Sequence, residues 1–104
     1  MLSAKLGAGN GANTIVTGKA GFEIVLCGIY AVASGDVNVY WSSSGGTNLI
    51  GDATNIVSMN TDIVHSVWFP NGVAEVPNGE NLVLTLSADV KVAGAISYDF
   101  RRVI

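Results

Sequence analysis

The sequence predicts an all-β protein: an antiparallel β-sandwich, jelly-roll-like, of seven to eight strands behind a flexible N-terminal arm. Three observations predict it. Apolar runs recur between turn clusters ("TGKAG", "ASGD", "SSSGGT" and "PNG" twice), and Gly, Pro, Asn and Ser in such clusters set turns rather than helix caps. Val, Ile and Thr dominate the runs, and their β-branching suits a pleated surface. No window keeps apolar residues at i, i+3, i+4 and i+7, the helical stripe.

Taken in order, residues 1–14 hold "GAGNGANT", nearly all Gly, Ala and Asn. Such residues bury little and keep high conformational freedom, so this stretch reads as an arm. Residues 15–104 then form a single sandwich domain. Strands are expected at about residues 14–18, 21–33, 36–43, 55–59, 62–69, 81–87 and 92–103. In "DVNVYWS", Val37, Val39 and Trp41 share one face while Asp36, Asn38, Tyr40 and Ser42 share the other, which places Trp41 in the core. "FEIVLCGIYAVA" differs, with Phe22, Ile24, Leu26, Tyr30 and Val32 on one face and Val25, Cys27, Ile29, Ala31 and Ala33 on the other. A strand apolar on both sides needs two covers, and a neighbouring subunit is one candidate for the second. Trp68, Phe69 and Pro70 end a strand, where a large apolar group is left at the rim, buried by the core or by a partner. Ile29, Ala31, Ala33, Trp68, Phe69 and Pro70 are therefore the expected subunit or capsid interface. Near the end, Leu82, Leu84 and Leu86 alternate with polar neighbours, and Ile96, Tyr98 and Phe100 repeat the period. The two runs read as a β-hairpin.

Composition narrows the function. Hydrophobic residues make up 49% of the 104 and charged ones 12%, about half the charged share of an ordinary soluble domain. A monomer with so few charges covers its surface poorly, which points to a subunit of an assembly. The net charge of −3 with five Lys and Arg offers no basic stripe for phosphates, so no nucleic-acid partner is expected. The apolar run at 24–33 is shorter than the roughly 20 residues a membrane helix needs. The start has no apolar signal segment, so the chain is expected to stay where it is made. Cys27 is the single cysteine and sits between apolar neighbours, as a buried thiol does.

Catalytic motifs are weak. "GAGNGA" matches a dinucleotide fingerprint formally, but that motif needs a helix to follow it. "TGKA" ends with Ala20 where a phosphate loop requires Ser or Thr, and Asn13 stands in place of its first glycine. His65 is alone, too few for a zinc set, and no Ser occupies a nucleophile elbow. The carboxylates Asp36, Asp52, Asp62, Glu75, Glu80, Asp89 and Asp99 mostly border turns, where they solvate loops. No enzyme activity, cofactor or metal is expected.

The series Gly79-Glu80-Asn81-Leu82-Val83-Leu84, then Leu86-Ser87-Ala88 and Val92, Gly94, Ile96 and Tyr98, resembles the ending of a group of small tailed-phage and prophage proteins. "VNVYWSSSGGTNLIG" is similar to their middle strands and glycine turn. The resemblance covers about residues 20–104. It implies a jelly-roll virion protein, such as a head decoration or cement protein that forms homotrimers on the capsid. The implied partners are other copies and the major capsid protein, and the place is the capsid surface after assembly in the host cytoplasm. It carries no binding residue over. The alternative is a tail- or fibre-associated receptor- or carbohydrate-binding module, suggested by Trp41, Trp68 and the loop at 42–46.

Overall fold

A computed structural model of the chain describes residues 2–51, 57–61, 64–68 and 74–103. Among these residues every regular element is a strand: β1 (Leu2–Ala8), β2 (Gly11–Val16), β3 (Phe22–Ala33), β4 (Val37–Ser43), β5 (Asn48–Ile50), β6 (Val57–Met59), β7 (His65–Trp68), β8 (Ala74–Val76), β9 (Leu82–Leu86) and β10 (Val92–Arg102). They form two antiparallel sheets. Sheet A runs β1-β10-β3-β7, with β8 also on β3, and sheet B runs β2-β9-β4-β5, with β6 also on β4. The expected antiparallel sandwich is the observed fold.

The two apolar faces meet in one core. Leu6, Ile24, Leu26, Val76, Val92 and Ile96 come from sheet A, and Leu82 and Leu84 from sheet B, all less than 2% exposed. Burying one Leu or Ile side chain contributes about 1.5–3 kcal/mol. Trp41 joins them at 5% exposure, in the core as its phase with Val37 and Val39 requires.

Three expectations need correction. The described part of the expected arm, residues 2–14, is not an arm: β1 pairs with β10 through seven residues and β2 pairs with β9. An edge strand is held mainly by its backbone ladder, which side-chain composition does not report. Asn13 also ties the corner between the strands: its Nδ2 donates to the Gly9 carbonyl at 2.8 Å, and its Oδ1 accepts from the Gly9 N–H at 3.1 Å. The expected hairpin is the second correction, because β9 lies in sheet B and β10 in sheet A. Residues 87–91 carry the chain from one layer to the other, so the two apolar faces oppose each other across the core. A period of two marks a half-buried strand without saying which sheet it joins.

The third correction concerns β3. Gly28 pairs with Ser97 and Leu26 with Tyr98, which leaves Cys27 as an extra residue. Such a bulge reverses the facing of everything beyond it. Ile24 and Leu26 before it, and Ile29, Ala31 and Ala33 after it, consequently all face the same core. Ile29, Ala31 and Ala33, expected at an interface, are 9%, 3% and 8% exposed within the chain's own core. The strand looked apolar on both sides because the bulge moved its inward set from even to odd positions.

At one end, residues 78–81 lock two turns together. Glu80 Oε1 accepts from the Ser43 hydroxyl at 2.6 Å and from the Gly45 N–H at 2.8 Å. Asn81 Oδ1 accepts from the Gly18 N–H at 2.7 Å, and Asn78 Oδ1 from the Gly21 N–H at 2.8 Å. Replacing Glu80 with Ala leaves Ser43 and Gly45 without their acceptor. Glu80→Ala is expected to lower unfolding stability by about 1–3 kcal/mol in urea titration; an unchanged midpoint would show that the turns hold without the carboxylate.

Candidate interaction face

With the core-facing set fixed, the opposite side of sheet A follows from register. Three rows cross it: Ser3, Ser97 and Gly28; Lys5, Ala95, Tyr30 and Ser66; Gly7, Ala93 and Val32. Apart from Lys5, small residues on β1 and β10 make a low floor, and Tyr30 and Val32 on β3 stand above it. Tyr30 is 51% exposed and Val32 36%, and Val64, just ahead of β7, is 51% exposed. Ser3, Gly28, Tyr30, Ser66, Ala95 and Ser97 line a shallow concavity of about 240 Å³ on this face. Lys5 is the one charge in these rows.

Beyond the bulge the same face changes character. Glu23 opposes Arg101, and Val25 opposes both Asp99 and Glu75. Arg101 pairs with Glu23 and, at 2.8 Å, with Glu75. Hydrogen bonds to Glu75 and then Glu23 raise the guanidinium's pKa further above its ordinary value. Glu75 and Asp99, expected beside turns, thus stand on strands. The bulge at Cys27 marks the line between a half with a single charge, Lys5, and a half where Glu23, Glu75, Asp99 and Arg101 gather.

Cys27 is 3% exposed, and its thiol donates to the Val25 carbonyl at 3.6 Å. Burial first, and the Asp99 charge second, push the thiol's pKa up. A higher pKa means less thiolate at a given pH, and thiolate is the reactive form. Alkylation of the native protein at pH 8 should be much slower than in denaturant, by mass spectrometry; equal rates would place the thiol in the open.

The other sequence candidates fall as follows. Trp68 stands in β7 opposite Gly28, and Phe69 and Pro70 lie outside the described residues. His65 stands in β7 opposite Ala31. The glycine-rich stretch forms the β1–β2 corner, so no helix N-terminus follows the dinucleotide-like residues. Among the described residues no three His, Cys, Asp or Glu gather as metal ligands, and no helix is long and apolar enough to cross a membrane.

Sheet B presents a polar face instead. At one end Asp36, Asn38, Ser58, Asn60 and Ser87, over Val37 and Met59, line an open concavity of about 350 Å³. The Ser58 hydroxyl donates to Asn38 Oδ1 at 3.1 Å, and the Asn38 N–H donates to Ser87 Oγ at 3.0 Å.

Comparison of the chain with protein-family models, with curated proteins and with solved structures finds no match.

Sequence reasoning missed Tyr30 and Val32 as exposed residues. Their signal was the alternation of large Tyr30 and Val32 with small Ala31 and Ala33, read in the wrong phase because the bulge precedes it.

Proposed function

We propose that the protein is a structural virion component: a decoration or cement protein that binds the head surface as a homo-oligomer, contacts the major capsid protein and stabilises the shell without catalysing a reaction. The observation that carries this reading is the outer half of sheet A before the charged cluster, where Tyr30 and Val32 stand exposed above Gly, Ala and Ser with Lys5 as the one charge. Exposed apolar side chains grouped on one face mark a surface meant to be covered.

The strand order supports the same reading. If β5 with β6, and β7 with β8, are each counted as one interrupted strand, ten strands reduce to eight. The layers then read 1-8-3-6 and 2-7-4-5, the order expected of a jelly roll, an architecture used in viral capsids and lectins.

Size decides how such a face works. Ten positions in three rows, at about 4.8 Å between strands and about 6.6 Å between rows, span roughly 300 Å². A stable two-body interface needs about 800 Å² per partner. One copy therefore binds weakly, and many copies on one shell hold through their combined contacts. The test adds purified protein to heads assembled without it. Saturable co-sedimentation and higher heat resistance of the heads are expected, and failure to bind would overturn the proposal.

The polar concavity at Asp36, Asn38, Ser58, Asn60 and Ser87 favours a second reading, a receptor- or carbohydrate-binding module, since carboxylate, amide and hydroxyl groups together match sugar hydroxyls. Titration with soluble glycans distinguishes it: saturable binding lost in Asn38→Ala supports this second reading, and no binding removes it.

A further inference from the structure

The far edge of β1 is built to accept another strand. β1 lies at the end of sheet A and pairs with β10 through seven residues without a register shift, so its other side presents a straight row of backbone donors and acceptors with no strand beside it among the described residues. The remaining edges, among the described residues, are short or carry a register shift. β7 has four residues and β5, β6 and β8 three each, while β2 carries a register shift between Thr14 and Val16. Short strands and bulges are the usual means of blocking edge pairing, and β1 has neither.

We infer that β1 pairs antiparallel with β1 of a second copy about a twofold axis. Side chains fix the register. Leu6 and Ala8 point into the core, so residues 2, 4, 6 and 8 share the inner side and residues 3, 5 and 7 the outer side. A twofold pairing that keeps these sides matched is centred on one residue. Centring on Lys5 sets Lys5 against its own copy, and like charges directly opposite are destabilising. Centring on Leu6 avoids this but leaves Leu2, 46% exposed, outside the pairing. Centring on Ala4 sets Ser3 against Lys5, and Leu2 against Leu6, so the exposed Leu2 is covered and the only charge between residues 2 and 16 meets a hydroxyl.

The second copy fits because it brings the same bare edge with the same single charge, and an isologous contact satisfies both at once. The two A sheets become one sheet, and their outer halves lie side by side as one larger face. A twofold dimer thus replaces the trimer that the sequence resemblance implies. The inference stands apart from the capsid reading: a dimer that ignores heads leaves it intact.

Light scattering and sedimentation equilibrium of the full chain test it. The expected mass is twice 10.7 kDa. Ser3 is an exposed residue, so changing it leaves the fold in place by circular dichroism. Ser3→Lys puts two Lys–Lys pairs across the axis and should weaken the dimer about tenfold, while Ser3→Glu puts two Glu–Lys pairs there and should tighten it about tenfold. A monomer, a trimer, or a dimer that responds to neither change overturns the inference.

Discussion

Gly94→Ala is expected to destabilise the folded state severely and to lower its melting temperature by about 15 °C or more. Gly94 sits in β10 between Leu6 of β1 and Ala31 of β3, with φ at +153°. A Cβ built there runs into the Tyr30 carbonyl oxygen and lies 2.8 Å from the Tyr30 carbonyl carbon and 3.1 Å from Ala31 Cα. All three obstacles are backbone atoms of the neighbouring strand, so no side chain can turn aside to make room. Either β10 separates from β3 or Gly94 leaves its conformation. Strain of this kind costs about 1–3 kcal/mol and overpacking a similar amount, together about 2–6 kcal/mol against a total stability of about 5–15 kcal/mol. Each kcal/mol shifts Tm by about 4–8 °C in a domain of this size. A fall in Tm of about 15 °C or more, or loss of soluble protein, is the predicted outcome. A Tm within a few degrees of the parent would mean that β10 and β3 are not this close.

Leu84→Ala should be nearly as damaging, for the opposite reason. Leu84 is 1% exposed in the middle of β9, between Asn13 of β2 and Trp41 of β4. Its truncation removes apolar contacts and leaves a cavity that a sheet, paired on both sides, cannot close. The expected loss is about 2–5 kcal/mol, read as a lower urea midpoint at unchanged slope. Leu84→Met keeps the volume and should lose less than about 1.5 kcal/mol. Equal losses for the two variants would show that packing volume at this site does not govern stability.

These two sites show what the sequence discloses. Leu84 was legible, because Leu82, Leu84 and Leu86 alternate with polar residues and every one of them is buried. β4, with Val37, Val39 and Trp41 in phase, was legible for the same reason. The close approach at Gly94 was not, since it depends on how β10 lies against β3 and not on anything local to glycine. β5 and β8 are three residues long, too short for a period to show. The β1–β2 stretch looked flexible because its side chains are small, while its order comes from two backbone ladders and from Asn13. On the candidate face, the residue types were visible but their facing was not. One extra residue at Cys27 exchanges the roles of Ala31 and Tyr30, and no periodicity argument detects such a shift without the partner strand. The charged half, where Arg101 joins Glu23 and Glu75 across three strands, was likewise unreadable from residues so distant in the chain.

In the proposed function, Tyr30 and Val32 are the surface by which the protein holds to the head. Both are solvent-facing, so Tyr30→Asp with Val32→Asp should keep the parent's circular dichroism spectrum and a Tm within a few degrees. The decisive measurement is co-sedimentation of this double variant, beside the parent, with heads assembled in the protein's absence. Carboxylates in place of two central apolar anchors should weaken binding about 30-fold or more. Binding of the folded variant at the parent's level would contradict the account directly.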